Sequence, residues 1–454
     1  MKQDKSLEIK SHTFPNGFRI VYQKSMSSLP INHIYAFCKV GSAFETDRVR
    51  GASHFVEHMC FKGTHKRPEA RKILKEFDKI GAYFNAYTEK RHTAYQVSCD
   101  DKHVHHCMDI LGDVMMNSMF AKKEFDKEQK VVVEESIKSM NNHEGVLDEH
   151  MNRILFRGSS YEYPIDCLKY HPSASFLQYD DILEWYHWFY HPSNMVFSIV
   201  SNLSFASILA ILKKTDYSKM DRHASETRPL FALEQPNLSI LPVEGDARVV
   251  FFPKKGVSTD IIRIDFRTCS RFSKDIYSIQ ILRSILNGLS GRLFTALRTK
   301  HGLTYNASAD SEYREHTGYL SISIQTDPSK IIQDSKHAGV LPVVFQLLSE
   351  LKKKGITQEE LESAKGKIQG KFLLNMQTMG NLAEYNGTET IFQKEDPIIP
   401  FQDIYKTHLA KITKKDVDTI IEKYLIRENM MIGIMYEKKI DQKRIETLCK
   451  KLFV

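Results

Sequence analysis

Short apolar, β-branched runs alternate with longer amphipathic stretches along the first half of the chain. Pro15-Asn16-Gly17 predicts a turn into a strand over Phe18–Tyr22, and Ile31–Val40 is apolar enough for a buried strand. Apolar positions then recur at helical spacing over Ala52–Phe61, stopped by Gly63, and over Pro68–Ile80. Gly81 leads into a strand pair, Tyr83–Tyr87 and Thr93–Ser98, and two more helices are predicted over Val104–Met116 and Lys123–Met140. Met195–Val200 reads as a strand followed by a turn and the start of a helix. Strands accompanied by helices long enough to cover a sheet face predict an α+β fold.

The pattern loosens between residues 220 and 246. Asp221-Arg222-His223, Glu226-Thr227-Arg228-Pro229 and Gln235-Pro236-Asn237 are polar and proline-bearing, as a linker is. Beyond them the same order of elements returns, with strands at Val249–Phe252, Ile261–Phe266 and Gly318–Gln325 and a helix at Ile276–Leu286. Ile80-Gly81-Ala82-Tyr83-Phe84-Asn85-Ala86 is echoed by His301-Gly302-Leu303-Thr304-Tyr305-Asn306-Ala307. Lys123–Glu128 is likewise echoed by Thr357–Glu362, and Thr357 with Glu360 has the spacing of a helix capping box. This is a long-period duplication. Residues 1–220 are expected to form one domain, 221–246 a linker and 247–454 a second, similar domain. Each would be a mainly antiparallel β-sheet with helices packed on one face.

Composition narrows the class without choosing it. Of 454 residues 42% are hydrophobic and 26% charged, which excludes disordered and fibrous chains. The net charge of +8 is scattered among acidic residues, with no basic arm or face, so nucleic acid is not an expected partner. Short runs such as Lys352-Lys353-Lys354 read as solvated helix ends. The most apolar stretch, Met195 to Leu212, carries Ser198, Ser201, Asn202, Ser204 and Ser207, too polar for hydrocarbon, so no membrane span is expected. The opening MKQDKSLEIK has neither an apolar core nor an arginine-rich, acid-poor character. Seven cysteines without a CxxC pair read as reduced thiols, and together these features predict a cytoplasmic protein.

The chemistry is concentrated in Gly51-Ala52-Ser53-His54-Phe55-Val56-Glu57-His58-Met59-Cys60. Positions i and i+4 share a helix face, so His54 and His58 can present two imidazoles to one tetrahedral ion. Glu57 lies on nearly the same face and can reach a metal-bound water without being a ligand. This is HExxH in mirror order, the inverzincin pattern. Zinc held by three protein groups lowers the pKa of its water towards ~7, and a carboxylate can accept that proton as the water attacks a carbonyl. Five residues alone are also compatible with a surface helix whose histidines do nothing. A third ligand is needed, and the helical stretch Glu128–Ser136 offers Glu128, Glu134 and Glu135.

Gly41-Ser42-Ala43-Phe44-Glu45, followed by Gly51 through Gly63-Thr64, strongly resembles the pitrilysin/insulinase family of zinc peptidases. Within it the likeness is greatest to the mitochondrial-processing-peptidase type. In that family 76 residues separate the second histidine from a glutamate ligand, which here leads to Glu135 followed by Ser136. Glu134 is rejected, since one helical step turns a side chain by ~100°. Glu128, two turns before Glu135, matches the family's second acidic position, a group that supports the site or orients water. Gly81–Thr88, with Asn85 and Ala86, resembles the family's edge strand, on which a peptide adds as an extra β-strand. Periodicity alone does not say whether that strand is internal. Arg298 and Tyr305 resemble the family's Arg/Tyr pair, which holds the substrate and its developing oxyanion. From residue type alone, Arg298 would be surface and Tyr305 core.

Other candidates are bland. His103, His105 and His106 are expected at the exposed start of a helix, Cys60 in the core, and Trp185, Tyr186, Trp188, Phe189 and Tyr190 in packing. Ile165-Asp166-Cys167-Leu168 and Val200-Ser201-Asn202-Leu203 depart from the family's glycine-bearing pattern and bear on substrate range. The second domain has no HxxEH, so one Zn2+ per chain is expected. The resemblance implies a zinc endopeptidase acting on short or unfolded polypeptides. Its alternative is a catalytically silent or peptide-binding subunit, but such relatives lose a ligand or the base, and all four residues stand here. A chamber in this family takes four copies of the repeated domain. A chain with two would pair with itself or with a related chain.

Overall fold

The computed structural model describes residues 8–166, 177–216, 218–220, 249–335, 338–375, 378–392 and 398–452. The expected linker and Cys167-Leu168 lie outside the described residues. Two sheets organise the chain. The first contains β1 (Ile9–Thr13), β2 (Arg19–Lys24), β3 (Ile31–Cys38), β4 (Tyr83–Thr88), β5 (Thr93–Asp100) and β6 (Met195–Ser201), in the order β1-β2-β6-β3-β5-β4. The second contains β7 (Val249–Pro253), β8 (Asp260–Thr268), β9 (Thr304–Tyr313), β10 (Gly318–Thr326) and β11 (Met430–Tyr436), in the order β7-β11-β8-β10-β9. Each sheet holds one parallel pair, β2 with β6 and β7 with β11; the other pairs are antiparallel.

The helices of the first half are α1 (Ala52–Cys60), α2 (Ala70–Lys79), α3 (Val104–Met116), α4 (Lys122–Ser139), α5 (His143–Leu155), α6 (Tyr179–Phe189) and α7 (Phe205–Leu212). Those of the second are α8 (Asp275–Leu286), α9 (Val340–Lys354), α10 (Gln358–Asn375), α11 (Met379–Phe392), α12 (Phe401–Thr407), α13 (Lys414–Tyr424) and α14 (Gln442–Leu452). The predicted elements are present with ends displaced by up to two residues, and the α+β class stands. Among the described residues no helix is long and apolar enough to cross a membrane.

The duplication is visible in local geometry. Gly81 and Gly302 both adopt left-handed backbone, φ 62° and 60°, at the entry to β4 and β9, which end their sheets. A side chain would strain that turn, so the echoed glycine has a backbone reason. The predicted capping box forms: Glu360 N donates to Thr357 Oγ1 at 3.1 Å, and Thr357 N donates to Glu360 Oε2 at 2.8 Å.

Contacts divide the chain into two units, and the division is not contiguous. Residues 142–158 group with the second sheet and residues 374–403 with the first. A single cut near residue 220 therefore misses an exchange of segments. On the first sheet Ile34, Ala36 and Cys38 of β3 face a core shared with α1, α3 and α6, while Tyr35 and Phe37 face Met379, Leu382 and Ala383 of α11. Helices from the first half of the chain thus cover one face and α11, from the second half, covers the other, so this sheet is packed on both faces where helices on one were expected. A Cβ on Gly387 would lie 2.0 Å from Phe37 Cε2, so only glycine permits this approach. On the second sheet α5 lies against Gly433 of β11, whose added Cβ would meet Met151 Sδ at 2.4 Å. Gly387→Leu is expected to destabilise the first unit by about 1–3 kcal/mol through overpacking. Urea unfolding monitored by circular dichroism measures this, and an unchanged midpoint would contradict it.

Candidate active site

The metal-site motif occupies α1, whose Phe55, Val56, Met59 and Cys60 are buried and seat the helix in the core. Phe55 meets Phe125 of α4 edge to face, with ring centroids 4.9 Å apart, and this contact docks the two helices. On α4 the buried positions Phe125, Glu128, Val132 and Ser136 form one stripe. Glu135 lies beside that stripe and turns its half-exposed carboxylate to the histidines.

Three donor atoms converge. His54 Nε2 and His58 Nε2 are 3.2 Å apart with their rings nearly perpendicular, 85°. Glu135 Oε2 lies 3.3 Å from His58 Nε2 and 4.0 Å from His54 Nε2. Zinc–ligand bonds of about 2.0–2.2 Å at tetrahedral angles put neighbouring donors roughly 3.3 Å apart, so this triangle fits such an ion. Among the described residues it is the one group of three or more His, Cys, Asp and Glu side chains spaced to hold a metal. Glu134 is exposed and outside the triangle.

Glu128 occupies the other side of His58. Its Oε1 is 2.8 Å from His58 Nδ1 and its Oε2 accepts from Lys62 Nζ at 2.6 Å. Burial pushes the Glu128 carboxyl up, but the hydrogen bonds from His58 and Lys62 outweigh it and the net shift is downward. An ionised carboxylate only accepts, so Nδ1 of His58 carries the proton and Nε2 keeps its lone pair for a metal. For His58, burial acts downward and the neighbouring Glu128, Glu57 and Glu135 raise it overall; for His54, burial and the His58 charge lower it.

Glu57 is 8% exposed, and its Oε2 accepts from Thr88 Oγ1 at 2.7 Å. Burial pushes its carboxyl up to about 7, against the Thr88 hydrogen bond and the His58 charge. Thr88 is the last residue of β4, so the strand carrying Asn85 and Ala86 also fixes the Glu57 carboxylate. Sequence reasoning assigned no role to Thr88 or Lys62. A hydroxyl 31 residues from its acceptor leaves no local signal.

The structure places β4 at the sheet's edge, paired with β5 through Asn85↔Gln96 and Ala86↔Tyr95. Asn85 is exposed and Ala86 half-buried. Arg298 and Tyr305 come together in the second unit, with Arg298 Nη1 donating to the Tyr305 carbonyl at 3.4 Å and its guanidinium 5.5 Å from the Tyr305 ring centre. Tyr305 is 89% exposed, which corrects its reading as core: it is the second residue of the edge strand β9, after a π-helical turn at Phe294–Lys300. Cys60 and the Trp185–Tyr190 aromatics pack as expected, and His106 reaches Glu76 at 3.3 Å.

Comparison with known proteins agrees with this geometry. Residues 26–168 match the family model described as Insulinase (Peptidase family M16), and residues 177–368 match the one described as Peptidase M16 inactive domain. A Bacillus subtilis protein named "Uncharacterized zinc protease YmxG" is 28% identical over 381 residues, 84% of this chain and 87% of that protein. A Rickettsia felis protein named "Uncharacterized zinc protease" is 28% identical over 367 residues, 80% of this chain and 82% of that one. Among solved structures, a protease from Helicobacter pylori superposes with a TM-score of 0.78 at 19% identity, covering 94% of this chain and 99% of that one. The first half of the periplasmic protease PqqL from Escherichia coli gives 0.75 at 18%, covering 99% and 97%. With both halves of the chain matched and the HxxEH helix in the first of them, the chain belongs to the pitrilysin/insulinase family of peptidases.

Proposed function

We propose that this chain is a zinc-dependent metalloendopeptidase that cleaves short or unfolded polypeptides held as an added strand along β4. The observation that carries the reading is the convergence of His54 Nε2, His58 Nε2 and Glu135 Oε2, with Glu57 on the same helix. A zinc ion held by those three groups would supply a Lewis acid for the scissile carbonyl and an acidified water. Glu57 takes the proton from the attacking water and delivers it to the leaving amine. Thr88 aims the Glu57 carboxylate, and Glu128, neutralised by Lys62, holds His58 in the ligating tautomer. The free edge of β4 gives main-chain hydrogen bonds, with Asn85 and Ala86 beside the cleaved bond. The family resemblance would assign Arg298 and Tyr305 to the substrate and its oxyanion.

The experiment measures bound zinc and cleavage of a quenched fluorescent peptide, with and without chelator. One zinc per chain and chelator-sensitive, zinc-restored cleavage are expected. Metal without cleavage would instead favour the silent-subunit reading. We further propose that two chains, or this chain and a relative, pair to enclose the site, since closed two-fold pairing is the commonest soluble arrangement. Sedimentation at micromolar concentration is expected to show a dimer, and a fully active strict monomer would refute it. The six described cysteines are free, which supports a reducing compartment such as the cytoplasm.

A further inference from the structure

The metal helix α1 begins without a cap of its own. Its first flanking residue, Gly51, is in left-handed backbone at φ 87° and has no side chain to offer the free amides of the first turn. Those amides are met from outside the helix. Glu45 Oε2 accepts from Gly51 N at 2.7 Å and Glu45 Oε1 accepts from Ser53 N at 2.8 Å. The carboxyl is 1% exposed, so neither amide has water as a substitute partner. Arg50, which is itself buried and bonded to Asp47, supplies compensating positive charge nearby.

The two histidines depend on α1 in different ways. His58 sits a turn inside the helix and is gripped at Nδ1 by Glu128. His54 is in the first turn, next to the capped Ser53, and its polar and ring partners are His58 and Glu135, both within the donor cluster. Without an anchor like the Glu128 grip on His58, its place depends on the backbone of that turn. A first turn with unsatisfied buried amides frays or shifts, and a shift of about 1 Å is enough to spoil a tetrahedral donor triangle whose bonds are only ~2 Å long. We infer that Glu45 is a positioning residue of the metal centre: by capping α1 from six residues upstream it places His54 Nε2 at ligating distance. The inference rests on the zinc reading above and adds a residue outside the HxxEH and the third-ligand helix.

The test compares zinc dissociation constants, measured by competition with a chromophoric chelator, for wild type, Glu45→Gln, Glu45→Ala and Ser204→Ala. Ser204 caps α7 in the same unit by accepting from Ser207 N at 3.1 Å, so its loss uncaps a helix that carries no ligand. Glu45→Ala is expected to weaken zinc binding tenfold or more and to alter the visible spectrum of the cobalt-substituted protein. Glu45→Gln keeps one acceptor oxygen and most of the volume; it is expected to fold and to weaken zinc binding by a smaller factor. Ser204→Ala should lower the unfolding temperature yet keep the wild-type constant. Wild-type zinc affinity and cobalt spectrum in both Glu45 variants would overturn the inference, and so would an equal loss in Ser204→Ala. A wild type that binds no zinc would overturn the metal reading itself, and with it this role for Glu45.

Discussion

Glu57→Gln is expected to keep one zinc per chain and to lower kcat by about 100- to 10,000-fold, the usual contribution of a positioned general base. The substitution leaves His54, His58 and Glu135 untouched, so the ligand triangle survives. It removes the carboxylate proposed to accept the water's proton while retaining nearly the same volume at a site only 8% exposed. The amide can still receive the Thr88 hydroxyl through its oxygen, so local packing should hold. The checks are metal analysis and steady-state kinetics on the same preparation. Zinc retained with turnover above about a tenth of wild type would show that another group is the base.

Glu135→Gln should act on the metal instead. A neutral amide is a poor zinc ligand, and removing a supporting group alone typically costs 10–100-fold in metal affinity. Loss of a ligand is therefore expected to weaken binding by at least about 100-fold. Glu134→Gln provides the internal comparison. It is the same chemical change one residue away, turned ~100° around α4 and outside the donor triangle, and should leave affinity unchanged. Chelator competition on the two variants decides the matter, and the reverse ranking would mean that Glu134 is the ligand.

Much of this site was legible because its signals are local. The i, i+4 spacing of His54 and His58 needs only a helix to bring two imidazoles together, and that helix is written in the apolar positions around it. Glu128 and Glu135 stand two turns apart on one helix for the same reason, although choosing Glu135 over Glu134 needed the family's spacing. The apolar character of Ile31–Val40 also spoke truly, since β3 is covered on both faces.

The alternation of β8 is more ambiguous. Arg263 and Asp265 alternate with Ile262 and Ile264, a pattern that reads as one face in water. Both charges are buried, because Asp148 of α5 lies over Arg263 and Asp265 pairs with it at 2.8 Å. That helix and its counterpart α11 each come from the other half of the chain. A strand's own pattern carries no record of which distant helix will cover it.

The strands and helices and the histidine pair could be read from the sequence, because each rests on spacing within one element or on a short motif; the choice of Glu135 needed the family resemblance as well. Packing of the whole chain was needed to show that Tyr305 stands in solvent, that Thr88 grips Glu57 and that Glu45 caps α1, and to place at the sheet's edge a strand whose own period left that open. These depend on where separate segments meet and on what is shut off from water. Such contacts are fixed by packing the whole chain, and no local period encodes them.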